Sequence, residues 1–488
     1  MRLADLLERL GGGVLEGDGS VRVKGISHDS RRVGRGEIFA ALPGRRAHGA
    51  EFLDQALARG AEAVLSSRKR PRGVTVPWIR SSRPRRLMAL AAWPLAGDPQ
   101  RELLMVGITG TNGKSTTAHL TSLILRAAKV PCAFAGTLGF TLPSSAVVAS
   151  ERTTPEATDL APLLRRTVAE GGRAAVMEVS SHALMEDRLA GLEFQVATWT
   201  NLSRDHLDYH GDMERYFLAK RRLFDEHLAP GGRRVLPVED PWGARLLDEA
   251  RAGDVAWGLG HGDVCAREVA GDLDGSRFVL SIGAESVPVQ LPLVGVHNLR
   301  NALAAAASAH AAGVGLAAIR SGLESATPLT GRLERIATAR QFPIFVDYAH
   351  TPDGLRSVLQ GLRRLTDRKL IVVFGAGGDR DTGKRGPMGF AVGELADVAV
   401  VTSDNPRSED PERIADAVAD GVRAGGGEPV VILDRRAAIE HALASANERS
   451  LVLVAGKGHE TTQTIGDRVI RFSDQEVIRE LAAGGSCG

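Results

Sequence analysis

The residues with the clearest chemistry stand at Gly110-Thr111-Asn112-Gly113-Lys114-Ser115. Glycines let the backbone turn so that successive N–H groups point at one anion, and a helix N-terminus behind them adds the positive end of its dipole. Lys114 offers charge to the β- and γ-phosphates of a nucleotide, and the Ser115 hydroxyl a ligand for Mg²⁺. The spacing departs from the strict phosphate-loop pattern, whose first glycine falls on Ile108; the glycine stands instead at Gly110. Two other segments carry metal-binding side chains. Glu178 follows the apolar run that begins at Ala174, and an oxygen ligand there suits a hard cation. The segment Asn201 to His210 holds His206 and His210 four residues apart, a spacing open to zinc. No glutamate follows the first histidine and no third ligand is evident, so a magnesium and phosphate site is preferred for His206.

Such a loop works only between a strand and a helix. Leu103–Thr109 reads as an apolar strand and Ser115–Ala128 as a helix, with Leu120, Leu123, Ile124 and Ala127 at helical spacing. Ala174–Val179 and Val196–Thr200 read as buried strands, and Asn298–Ala311 as an alanine-rich helix. Before the loop come a strand at Ile38–Leu42, a helix at Glu51–Ala58 and an amphipathic helix at Met1–Leu10. After a break near Thr327–Leu329, strands are expected at Ile344–Val346, Leu370–Phe374, Val398–Thr402, Val430–Leu433 and Leu451–Ala455. Alternating strands and helices mark an α/β protein. At roughly 100–200 residues per domain, 488 residues make about three. Turn residues at Ala96–Gln100 and the later break divide them as 1–100, 101–328 and 329–488. The end, Ala482–Gly488, is expected to fray.

Composition narrows the class. Hydrophobic residues make up 43% and charged residues 25%, ordinary for a globular protein, and the net charge of +2 implies no polyanion partner. Arg68, Lys69, Arg70, Arg72, Arg80, Arg83, Arg85 and Arg86 form a basic stretch, but only Trp78 and Trp93 lie nearby for base stacking, so it reads as a solvated face. The three cysteines, Cys132, Cys265 and Cys487, are too scattered for a disulfide framework or a structural zinc. There is no signal-peptide h-region, and Met88–Gly97 is too short to span a bilayer. A cytoplasmic, monomeric protein without nucleic-acid or stable membrane partners is expected.

The string Gly107 to Ser115 resembles the Mur ligase superfamily, which also includes folylpolyglutamate synthetase. The same resemblance runs in order through Glu178-Val179-Ser180-Ser181-His182, Asn201 to His206, Gly295 to Asn301, Gly331-Arg332 and Asp347 to Pro352. His28 to Arg32, Gly36 to Phe39, Thr153-Thr154-Pro155, Gly375 to Arg380 and Gly456 to Glu460 are most similar to the branch that adds the third residue of the peptidoglycan stem. The resemblance implies three α/β domains: a small N-terminal UDP-binding domain, a central P-loop ATPase-type domain and a C-terminal Rossmann-like domain for the amino acid. It implies ATP on Gly110, Thr111, Asn112, Gly113, Lys114, Ser115, Thr116, Asn298, Asn301, Arg332 and Asp347. Mg²⁺ falls to Ser115, Glu178, His206 and Lys220, the last as a carbamate, although from the residues alone Lys220 is an ordinary helix lysine. Lys114, His206, Lys220 and Arg332 carry the catalysis, and Ser30, His48, Thr153, Thr154, Ser180 and Arg188 hold a UDP-N-acetylmuramoyl dipeptide.

By the same resemblance, the incoming amino acid meets Arg380, Asp404, Asn405, Pro406, Arg407, Gly456 and Glu460. Members that add meso-diaminopimelate carry Asp-Asn-Pro-Arg at this place, and the chemistry explains why. A guanidinium fork grips the far carboxylate of diaminopimelate, a group that lysine lacks. The implied reaction is ATP-dependent amide formation through an acyl phosphate. The alternatives are an L-lysine-adding ligase, a folylpolyglutamate-synthetase-like ligase, the D-alanyl-D-alanine-adding ligase, and a regulatory nucleotide-binding protein.

Overall fold

A computed structural model describes residues 1–44, 47–150 and 152–483. Cys487 and positions 484–488 of the stretch expected to fray lie outside the described residues, whereas Ala482 and Ala483 still belong to the last helix, Asp474–Ala483. Among the described residues three large α/β sheets follow one another, with one small hairpin.

The first sheet has five strands, ordered Val14–Glu16, Trp78–Arg80, Ala61–Ser66, Glu37–Ala41 and Gly25–Ser27, all parallel except the Val14–Glu16 pairing. Its helix Pro84–Leu95 contains the apolar run at Met88, which is packing surface rather than a span. Trp93 is buried there and its indole donates to the Ala190 carbonyl at 2.8 Å, tying the first domain to the second. The helix expected at Glu51–Ala58 opens instead as a 3-10 turn, Gly49–Phe52, capped by His48, and continues as Leu53–Ala58. Among the described residues no helix is long and apolar enough to cross a membrane.

The central sheet has eleven strands. Parallel strands from Val264–Asp272 to Cys132–Gly136 form its body, and Leu104–Thr109 lies between Ala174–Glu178 and Phe194–Trp199. The chain order reverses beside this strand, so its carboxyl end opens a crevice where α/β sheets place ligands. Along the strand Val106 and Ile108 pack with helices Lys114–Ala127 and Val296–Ala311, while Met105 faces the other core. Ala302, Ala304, Ala305, Ala306, Ala307 and Ala309 are fully buried, and their small side chains let the Val296–Ala311 helix lie close to the sheet. Cys132 and Cys265 are buried and free, and burial pushes the Cys132 thiol up to about 12.

The third sheet is ordered Glu334–Arg335, Ile344–Asp347, Ser450–Ala455, Lys369–Phe374, Val398–Val401 and Pro429–Val431, and only its first strand is antiparallel. Its inner strands are apolar on both faces, as a parallel sheet covered by helices requires. The expected strands all appear within a residue or two. Among the features not anticipated are the antiparallel wing Val264–Asp272, Gly275–Ile282 and Glu285–Leu291, and the hairpin Thr462–Ile465 with Arg468–Arg471. Both expose much of their length, so they lack the apolar runs that mark the other strands.

Under the third sheet Arg435 and Asp474 form a fully buried ion pair with two bonds of 2.7 and 2.8 Å, and the guanidinium also donates to the Ala455 carbonyl. Removing one partner strands the other charge without water. Arg435→Ala is expected to lower unfolding stability by about 3–5 kcal/mol, with a paired apolar replacement of Arg435 and Asp474 recovering most of it. Denaturant melts of both variants check this.

Candidate active site

The glycine loop is held from behind by the end of strand Phe194–Trp199. Thr111 N donates to the Asn201 carbonyl at 2.8 Å, Asn112 N to Asn201 Oδ1 at 3.0 Å, and Thr200 Oγ1 to the Asn112 carbonyl at 2.7 Å. This leaves no space for side chains. A Cβ on Gly110, where φ is +148°, falls 1.9 Å from Thr200 Oγ1, and one on Gly113, where φ is +83°, falls 2.2 Å from Asn301 Oδ1. The helix expected at Ser115 begins at Lys114.

Two lysines converge on this loop. Lys114 Nζ donates to the carbonyls of Gly110 and Thr111 at 3.0 and 2.8 Å, and Lys220 Nζ donates to the same Gly110 carbonyl at 2.7 Å. Burial lowers the Lys114 ammonium, with Glu178 opposing. Burial, then the neighbouring Lys114, holds Lys220 well below its ordinary value. Lys220 also sits 4.5 Å from the centre of the Tyr216 ring. It is therefore not the ordinary helix lysine that its local sequence suggests; it is buried beside the phosphate loop.

A cavity of about 540 Å³ opens in front of the loop, between the central and third domains. Thr111 to Thr116, Glu178, His206, Asn298, Asn301, Arg332 and Asp347 line it. Gly110 and Lys220 support the loop from behind without lining the cavity. Glu178 is buried at its strand end, with Oε1 accepting from Thr137 N at 2.8 Å and Oε2 facing the Thr137 hydroxyl at 3.3 Å. Asn301 donates to Asn298, which donates to the Val294 carbonyl. From the third domain Arg332 reaches Ser115 Oγ at 3.4 Å and lies over the Tyr348 ring at 4.7 Å. Asp347 is fixed by the N–H groups of Leu333 and Ala349 at 2.6 and 2.7 Å, and burial raises its carboxyl above the usual range.

The two histidines of the Asn201–His210 segment part company. His206, in a left-handed conformation at φ +53°, lines the cavity edge-on to His182, and burial pushes it down to about 4. His210 is buried, stacks on Tyr216 and pairs through Nε2 with Ser181 Oγ at 2.9 Å. Among the described residues no group of three His, Cys, Asp or Glu is placed to hold a metal.

A second cavity of about 470 Å³ shares Thr137 and Thr153 with the first, and Asn405, Arg407 and Glu460 line it from the third domain. Glu460 accepts from Asn405 Nδ2 at 2.8 Å and Lys457 Nζ at 2.9 Å. Burial is the largest influence and would raise the Glu460 carboxyl, but Lys457, Asn405 and His459 together outweigh it and the net shift is downward. Arg407 stands at φ +53°; its N–H donates to the Thr464 carbonyl and its guanidinium to the Gly378 carbonyl at 2.6 Å. Asp404, Pro406 and Gly456 shape the turn beneath, and burial raises Asp404. Arg380 is exposed and lines neither cavity.

Thr154 Oγ1 donates to the Glu178 carbonyl at 2.9 Å and accepts from Ser180 N at 3.0 Å; Arg188 is held by Glu186 and the Thr154 carbonyl. Ser30 and His48 lie in the first domain, bonded to Gln55 and Ala50, and line neither cavity. Sequence reading missed Thr137, Tyr216, Tyr348 and Lys457. Tyr348 and Lys457 lie inside the Asp347–Pro352 and Gly456–Glu460 motifs, so the sequence offered them without a role; Thr137 and Tyr216 carry no local signal.

Comparison with known proteins bears on this arrangement. Residues 22–92 match the Mur ligase family catalytic domain, 108–309 the Mur ligase middle domain, and 331–458 the Mur ligase glutamate ligase domain. The chain belongs to the Mur ligase family and is an ATP-dependent amide-bond ligase. It is 43% identical over 467 residues, 95% of this chain and 94% of the relative, to the UDP-N-acetylmuramoyl-L-alanyl-D-glutamate–2,6-diaminopimelate ligase of Solibacter usitatus. It is 44% identical over 98% of its length to the like-named protein of Streptomyces coelicolor, of which 96% is covered. A solved structure of a UDP-N-acetylmuramoyl-L-alanyl-D-glutamate–2,6-diaminopimelate ligase superposes at a TM-score of 0.67, with 31% identity and both chains fully covered.

Because the Gly110 position admits no Cβ, Gly110→Ala is expected to displace the loop from Thr200 and weaken nucleotide binding at least about 10-fold, the loss of one or two loop hydrogen bonds to an anion. Calorimetric titration with ADP measures it.

Proposed function

We propose that this ligase joins meso-2,6-diaminopimelate to UDP-N-acetylmuramoyl-L-alanyl-D-glutamate, with ATP, in peptidoglycan synthesis. The observation that carries this reading is the meeting of two cavities at Thr137 and Thr153, one floored by the phosphate loop and the other walled by Arg407. In it, residues 1–100 take the uridine end of the acceptor through Ser30 and His48, 101–328 take ATP, and 329–488 take the amino acid. Thr153, Thr154 and Ser180 take the muramoyl peptide, and Arg188 acts through its bond to the Thr154 carbonyl.

The reaction follows from placement. ATP phosphorylates a D-glutamate carboxylate, and the amine of the incoming amino acid displaces phosphate from the acyl phosphate. Lys114 and Arg332 approach the phosphate site from opposite domains, so they can spread charge on the transferring group. Arg332 and Asp347 belong to the third domain, so the site is complete only with the two domains together, as they stand here. Asn298 and Asn301 face the nucleotide base.

The residues present suit magnesium. The Ser115 hydroxyl and Glu178 carboxylate offer hard oxygen ligands in one cavity, and magnesium is held by one or two carboxylates together with substrate phosphates. His206 lines the same cavity, and Lys220 would join as a carbamate; burial lowers its ammonium, and the neutral amine is the form that adds CO₂. When bound, the ion neutralises phosphate charge.

Selection of the amino acid falls to Arg407, with Asn405, Glu460 and Gly456 beside it and Asp404 and Pro406 forming the turn. A carboxylate at the far end of diaminopimelate supplies the guanidinium with a counter-charge, and lysine does not. Arg380, exposed in this structure, joins only if its loop moves.

Incubation with the muramoyl dipeptide acceptor, ATP and either meso-diaminopimelate or L-lysine is expected to yield the diaminopimelate tripeptide by mass, and Arg407→Ala to lose that preference about 10- to 100-fold. Preferential lysine addition by the unaltered enzyme contradicts the reading. Arg332→Ala is expected to lower kcat about 100-fold, as for loss of one donor to a developing charge; single-turnover ADP release measures it.

A further inference from the structure

Behind Thr153 lies a buried cluster that the reaction so far leaves unused. Glu156 is 1% exposed at its side chain. Its Oε1 accepts from Arg85, on the first domain's last helix, and from Arg152, and it stands 3.4 Å from Arg188 Nε. Its Oε2 is buried without a partner. Glu186 takes two further bonds from Arg188. Three guanidiniums (Arg85, Arg152, Arg188) meet two carboxylates (Glu156, Glu186), which leaves one positive charge in excess. An excess cation beside a substrate cavity is a place for an anion.

Only one of the three can reach that anion as the structure stands. Arg188 is 11% exposed, committed to Glu186 and the Thr154 carbonyl, and lines neither cavity. Arg85 lines neither cavity. Arg152 is 43% exposed, and it faces Arg407 across the second cavity, next to Thr153.

The acceptor supplies the anion. A D-glutamyl unit has two carboxylates, and activation consumes one. The other stays charged throughout. For an activated group at the Thr137–Thr153 boundary, facing the phosphate loop, the second cavity with Arg152 in its wall is the space open to the sister carboxylate.

We propose that Arg152 binds the unactivated D-glutamyl carboxylate of the acceptor, and that Glu156 is the positioning residue that anchors Arg152. This rests on the ligase reading above. Two guanidiniums then bracket the junction, Arg407 for the amino acid and Arg152 for the acceptor.

The test compares the natural acceptor with an analogue bearing a carboxamide in place of the carboxylate that does not form the new bond, using diaminopimelate and ATP. Arg152→Ala is expected to lower kcat/KM for the natural acceptor about 10- to 100-fold, mainly through KM, and to change the carboxamide acceptor little. Arg152→Lys, which keeps charge but not the fork, recovers part of the loss. Equal losses on both acceptors, or no loss on either, overturn the proposal. Failure of the unaltered enzyme to release ADP with the natural acceptor and diaminopimelate overturns the ligase reading instead, and this assignment with it.

Discussion

The contact between the glycine loop and the end of strand Phe194–Trp199 is the constraint on which the rest of the molecule depends. Thr200 and Asn201 hold the backbone of Thr111 and Asn112 in one shape, and that shape exists only because Gly110 and Gly113 lack a Cβ. With Thr111 and Asn112 N–H fixed on Asn201, the N–H groups that follow at the helix start can face phosphate without reorganising, which is the condition for stabilising charge that develops during transfer. The same loop offers its Gly110 carbonyl to two lysines. Packing two ammonium groups against one carbonyl, in the interior, favours the neutral form of the more buried one.

The sheet order explains why these groups lie together. Leu104–Thr109 is flanked by Ala174–Glu178 and Phe194–Trp199, so the glycine loop, Glu178 and the Asn201–His210 segment all emerge at one edge. The third domain presents Asp347 and the Asp404–Arg407 turn from the carboxyl ends of its own parallel strands, and Arg332 from just before its antiparallel first strand. Two crevices of the same kind face each other, and the shared threonines mark where a phosphorylated carboxylate can meet an amine.

Charges at the joints are paired more fully than a sequence suggests. Arg188 reads in isolation as a free substrate ligand, yet it is bound by Glu186 and the Thr154 carbonyl. His210 reads as a metal partner of His206, yet its ring is stacked on Tyr216 and bonded to Ser181. His48 reads as a uridine contact, and it also caps the turn that begins Gly49–Phe52. Arg380 shows the converse: it stands exposed outside both cavities.

The α/β class, the strands around the loop and the loop chemistry were legible in the sequence, because buried parallel strands are continuous apolar runs and a phosphate loop is a local motif. The antiparallel wing at 264–291 was not, since half its residues face solvent and no apolar run marks it. Nor was the state of Lys220, which nothing in Tyr216–Arg221 distinguishes from a surface lysine. Burial, the Gly110 carbonyl and the Lys114 charge all come from residues about a hundred positions away. The pairing of Arg152 with Arg407 across one cavity was hidden for the same reason. Sequence by itself determined which side chains could hold phosphate and which turn could grip a carboxylate. Tertiary structure alone decided which of them share a cavity and which are already spent on a neighbour, because burial and pairing are properties of three-dimensional neighbours, not of spacing along the chain.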